Sequence, residues 1–230
     1  MPEGIIFSFQ GALRGARQII PIALGDWAPC AVLGVVAHQA GLSLLETLLL
    51  SGLVFAGTSE FIALSQWTTP LPVLTIVITT FVINLRHLLM GSVLSSWFSK
   101  LSSVRKYSSA FFLTDETWAL TLHAIKVGER DRAFMLGSGV MLYIVGMSGI
   151  VLGFTVGRIV PNPARWGLDF AWVAALTALL VGLWRGKSDL LPWAFAALVA
   201  VVAARFIPGK WYVLLGSISG GVVGAMRDAR

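Results

Sequence analysis

Long apolar stretches alternate with short polar and basic turns along this chain, and most stretches have the length of a helix that crosses a bilayer. The first covers residues 19–40 and is interrupted by Pro21, Gly25, Asp26 and Pro29. Proline removes a backbone donor and clashes with the turn before it. Backbone groups freed at membrane depth must face protein or a hydrated cavity. Residues 21–29 are therefore predicted to be non-helical or sharply kinked and to lie against residues 56–60, so that Asp26 and Glu60 share one cavity. The next stretch, 44–67, is predicted to span once, and 72–97 is long enough to span with tilt. Residues 109–124 are too few and too acidic for an ordinary span. Basic turns on both sides (Lys100, Arg105 and Lys106; Lys126, Arg130 and Arg132) predict a segment that dips in and returns, or lies along the interface.

Ordinary spans are predicted at 134–156, 166–184, 191–207 and 211–226. Arg185 and Lys187 mark a cytoplasmic turn and Arg227 and Arg230 a cytoplasmic end, with Arg158 and Arg165 running against that topology. Gly216, Gly220, Gly221 and Gly224 suit close packing of the last span, within the chain or to a partner. A broken segment followed by spans starts near Ile19 and again near Ser109, a weak echo of the repeats found in secondary transporters. No stretch shows the extended alternation of a membrane strand.

Composition sharpens this pattern. Of 230 residues, 57% are hydrophobic and 12% charged, against about 25% charged in a soluble domain. The expected fold is all-α: a polytopic transmembrane helical bundle with broken or re-entrant helices, in which residues 1–230 form a single integral-membrane transporter domain. The net charge of +6 lies in runs between apolar segments, which reads as membrane topology and not as nucleic-acid binding. Cys30 is the only cysteine, which excludes a disulfide framework and a cysteine-based zinc site. The first ten residues lack a basic region ahead of an apolar core, so no cleaved signal peptide is expected. No zinc-protease, phosphate-loop or nucleophile-elbow motif occurs. Neither a metal nor a cofactor is expected, and Ser59 with His87 makes no supported nucleophile and base.

Ionisable residues inside a bilayer are expensive and default to functional hypotheses. Gly57, Thr58, Ser59 and Glu60 form one group: small residues permit unwinding, a helix start holds a carboxylate, and Glu60 holds an ammonium or takes a proton. The same residues also read as tight helix packing with an interface-level acid. Asn84, Arg86 and His87 form a second group. A lone cation cannot rest in hydrocarbon, so Arg86 is predicted to pair with Asp115 or Glu116, and His87 is a candidate proton relay. Asp115 and Glu116 form the third, about 100 degrees apart on a helix and so expected not to face one site together. Thr114 with these acids also reads as a plain helix cap. Asp26 is the remaining candidate, while Asp169, Asp189, His38 and His123 read as interfacial or ordinary.

Six elements in order carry a resemblance. They are Pro21-Ile22-Ala23-Leu24-Gly25, Ala40-Gly41-Leu42-Ser43-Leu44-Leu45-Glu46, Val54-Phe55-Ala56-Gly57 with Phe61, Asn84-Leu85-Arg86-His87, Leu113-Thr114-Asp115-Glu116 and Gly167-Leu168-Asp169-Phe170-Ala171. The chain resembles the AzlC family of branched-chain amino acid permeases, also described as exporters. The resemblance implies a multi-pass protein of the bacterial inner membrane that moves branched-chain amino acids, generally outward, with a small AzlD-type membrane subunit as partner. Two departures stand out. Ser59-Glu60-Phe61 replaces the family's Ala-Gln-Phe, and Trp27-Ala28-Pro29-Cys30 stands where Pro-Phe-Gly is usual. An acid in place of an amide changes the charge of a candidate site. The alternative function is that of a membrane assembly or regulatory subunit without transport of its own.

Overall fold

The structure is a computed structural model that describes residues 6–159, 177, 181, 184, 186–207 and 211–228. Most of the predicted span 166–184, with Arg165 and Asp169, lies outside the described residues. Among the described residues the chain is helical with no strand, as the apolar pattern requires. Helix α1 covers Phe9–Gln39. Helices α2 (Leu44–Val54) and α3 (Gly57–Ser65) follow, then α4 (Val73–Asn84) and α5 (Arg86–Phe98). Helices α6 (Ser103–Phe111) and α7 (Asp115–Lys126) precede the long α8 (Ala133–Ile159). Helices α9 (Leu190–Phe206) and α10 (Trp211–Asp228) close the chain. Among the described residues, three helical stretches are long and apolar enough to cross a membrane: Phe9–Gln39, Val73–Phe98 and Ala133–Ile159.

The break expected at 21–29 is not there: Pro21 and Pro29 both lie inside the uninterrupted α1. The reason is the packing of α1 on α8. A Cβ on Gly137 would strike the Ala12 carbonyl, and one on Gly153 the Ala31 carbonyl. From the other side, Gly15 abuts the Phe134 carbonyl and Gly34 the Ile150 carbonyl. These pairs ascend together, so the two helices run parallel, in backbone contact before the first proline and after the second. Each proline forfeits one amide hydrogen bond, and the seam on α8 holds the helix through both.

The breaks fall elsewhere. Residues 44–67, expected to cross once, split at Phe55, whose φ of 44° is left-handed. A bulky residue pays strain there, and persists only where its surroundings over-determine it. Phe55 lies among Phe112 at 6.0 Å, Phe111 at 6.4 Å and Tyr143 at 5.0 Å between ring centroids. Residues 109–124 are likewise not one segment, since α6 ends at Phe111 and α7 restarts at Asp115. The two interruptions meet through these aromatic rings. Near the chain's end, Gly216 and Gly220 pack against Ala200 and Ala196 of α9, so that small-residue stripe serves contact within the chain.

The polar start of α1 is fastened to the loop before α8. Ser8 donates its N–H to Asp131 Oδ1 at 3.1 Å and its hydroxyl to Oδ2. Arg14 grips Glu129 through two bonds of 3.0 Å. Arg14 holds the Glu129 carboxyl below the usual carboxylate range. Burial pushes the Asp131 carboxyl up, but the bonds from Ser8 and from the Ala133 N–H outweigh it, and the net shift is downward.

Two outcomes are expected from these contacts. Gly153→Val should destabilise by about 1–3 kcal/mol through overpacking, whereas Gly25→Ala, with nothing within 4 Å of its Cβ, should be neutral or stabilising. Melting in nanodiscs decides, and equal midpoints for the two variants would contradict the α1–α8 contact. Because the folded values of Glu129 and Asp131 are depressed, their stabilisation is present above the ordinary carboxylate range and lost as pH falls through those values. The gap in melting temperature between wild type and Asp131→Asn should therefore shrink on acidification from neutrality. A gap independent of pH would exclude the charged form of this clamp.

Candidate functional site

Both helix interruptions open onto one cavity of about 100 Å³. Helix α3 begins there with Gly57, whose Cβ position has no atom within 4 Å, and α7 begins there with Asp115. Asp26, Pro29, Cys30 and Leu33 of α1 form one wall, and Leu142, Gly146, Met147 and Ile150 of α8 another. Arg86 and His87, at the start of α5, complete the polar part.

The start of α7 is set locally. Thr114 and Thr117 cap it reciprocally, with the Thr114 N–H donating to Thr117 Oγ1 at 2.9 Å. The plain capping reading of this segment is therefore correct as local structure. The expectation that Asp115 and Glu116 cannot face one site fails, because both line the cavity. Their helix meets the cavity with its first turn, where neighbouring side chains fan around the end and not along opposite faces.

Arg86 meets Asp115 as charge balance demanded: Nη1 lies 2.6 Å from Oδ2. His87 places Nδ1 3.1 Å from the Asn84 carbonyl, which orients the ring at the α4–α5 junction. Glu60 is only 3% exposed. Its Oε1 accepts the Ala56 N–H at 2.9 Å, so the acid satisfies the backbone at the start of its own helix. It is a buried residue and not the interface-level acid of the packing reading. Asp26 receives the Cys30 thiol at 3.7 Å and shares the cavity with Glu60, as expected from the sequence even though the helix break invoked for it is absent.

Two candidates stand behind the cavity and do not line it. Ser59 is fully buried, donates to the Ala56 carbonyl at 2.8 Å and accepts from Asn84 Nδ2 at 3.4 Å. These bonds tie the start of α3 to the end of α4. Thr58 and Gly57 do line the cavity. Sequence reasoning missed Ser51 and Phe55, which face it from α2 and the break. It also missed α8 as a wall. The glycines at 146, 149, 153 and 157, spaced three or four apart, are the signal that would have exposed that face.

The fold and site define a class: an all-helical membrane protein in which two interrupted helices end at a cavity lined by apolar and ionisable side chains. A family model described as AzlC protein matches residues 21–160, a stretch that includes every residue lining the cavity, and the chain belongs to the AzlC family. It is 29% identical to an uncharacterized membrane protein of Archaeoglobus fulgidus, over 80% of this chain and 76% of the relative. It is 25% identical to the branched-chain amino acid transport protein AzlC of Bacillus subtilis, over 72% of this chain and 65% of the relative. The inner membrane protein YgaZ of Escherichia coli is 25% identical over 94% of this chain and 90% of its own length. No solved structure matches the chain.

The Arg86–Asp115 pair is partly open, with 29% and 38% of the side chains exposed. A double-mutant cycle of Arg86→Ala and Asp115→Ala, read by thermal unfolding, should give a coupling of about 1–2 kcal/mol, between the exposed and buried extremes. Additivity within about 0.3 kcal/mol would make the contact incidental.

Proposed function

We propose that this protein carries branched-chain or similar apolar amino acids across the bacterial inner membrane, generally outward, together with a small AzlD-type membrane subunit. The observation that supports this most is the cavity itself. It joins acids and helix starts to an apolar wall, the three elements that a zwitterion with a hydrocarbon side chain requires. Glu60 and Asp26 suit the ammonium, the first amides of α3 suit the carboxylate, and Leu33, Phe61, Leu142 and Ile150 suit the side chain. Interrupted helices around an enclosed site are a recurrent arrangement in secondary transporters. Membership of the AzlC family and the name of the Bacillus subtilis relative support the substrate class.

The test is uptake and release of labelled leucine, isoleucine and valine in vesicles holding this chain with and without its small partner. Saturable flux, lowered at least about tenfold by Arg86→Ala, is the expected result. Absence of flux for all three with the partner present would favour the assembly-subunit reading instead.

A further inference from the structure

Charge is distributed unevenly around the cavity. Four carboxylates reach it, from Asp26, Glu60, Asp115 and Glu116, against one guanidinium. That guanidinium, Arg86, is already engaged by Asp115. The other groups that could bind an anion are largely occupied from within the chain. Helix α7 carries its own threonine cap and two acids in its first turn, and the Ala56 amide at the start of α3 is taken by Glu60. The free capacity is of the opposite kind. Glu60 Oε2, on a side chain 3% exposed, accepts no well-formed hydrogen bond, although the Ser51 hydroxyl on the same cavity lies close enough to interact with that carboxylate. A buried carboxylate oxygen without a well-formed bond bears its desolvation cost incompletely compensated. An ammonium supplies three donors and the missing positive charge together.

We infer that the cavity recognises its substrate by the ammonium, at Glu60 with Asp26, and that primary alkylamines with a branched apolar tail are ligands. The carboxylate of an amino acid is accommodated and not required. This inference rests on reading the cavity as the substrate site. It orders three isosteric compounds. The amine adds positive charge to an acidic site, the amino acid adds none, and the oxo acid adds negative charge. A site built to capture the carboxylate gives the reverse order.

The experiment is titration of the full chain in nanodiscs, by calorimetry, with leucine, 3-methylbutylamine and 4-methyl-2-oxopentanoate. The expected result is that the amine binds as tightly as leucine or tighter, and the oxo acid at least about tenfold more weakly than leucine. Glu60→Gln should weaken the amine and leucine by at least about tenfold, with Asp26→Asn as a second variant. Binding of the oxo acid equal to that of leucine, or failure of the amine where leucine binds, overturns the inference on the wild-type protein alone. The amine binding without leucine upholds the ammonium site and refutes the amino-acid reading. Binding of none of the three refutes both.

Discussion

Glycines of one helix meet backbone carbonyls of the other where α1 runs beside α8, and this parallel pair carries two walls of the cavity. Inside a bilayer, apolar side chains gain little by leaving lipid, so association depends on close packing and on backbones that approach. Glycine makes that approach possible at several levels between Ala12 and His38. The consequences extend past stability. With α1 held against α8, Asp26 and Cys30 line the cavity from the first helix, and Met147 and Ile150 line it from the second. The shorter, interrupted helices are placed against this pair.

Those interruptions explain how a polar cavity survives in an apolar chain. Ending a helix leaves amides and carbonyls that lipid cannot satisfy. Here the loose groups are enclosed by protein and partly met by side chains: Glu60 at the Ala56 amide, and the Thr114–Thr117 cap at the start of α7. Phe55, Phe111, Phe112 and Tyr143 plug the junction of the two breaks. The aromatic cluster holds Phe55 in its left-handed conformation, and that turn aims α3 into the cavity.

Much of this was legible in the sequence, and the exceptions have physical causes. Isolated polar residues in apolar stretches located Glu60, Arg86 and Asp115, because intramembrane charge is costly wherever it occurs. Charge balance anticipated that Arg86 pairs with Asp115 or Glu116, and the partner is Asp115. The helix starts at Gly57 and after Thr114 were legible from small residues and a capping threonine, but the break expected at Pro21 and Pro29 is absent and the turn at Phe55 was not foreseen. Pro21 and Pro29 are strong local signals, but a local donor loss is outweighed by contact along the whole of α8. Conversely, Val54-Phe55-Ala56 contains no helix breaker, and its turn is imposed by rings more than fifty residues away in sequence. Propensity reports on one segment at a time, and both outcomes were decided between segments.

The same contrast bears on the electrostatics. From sequence, a helix start beside Gly57 suggests a place for an anion, because unpaired amides and the helix dipole favour negative charge. In the folded chain that favourable potential is already met by Glu60 and by the acids of α7, whose carboxylates lie where an external anion would otherwise go. Arg86 is neutralised in the same way. The Ala56 amide, the start of α7 and Arg86 have each been answered by an acid or cap of the chain, and the cavity is left with more acidic than basic side chains. The departure at Glu60 sharpens this, since an amide at that position would accept the Ala56 hydrogen bond without adding charge. What distinguishes this cavity is therefore the demand left over after its own helix ends are satisfied, and that demand is for a cation.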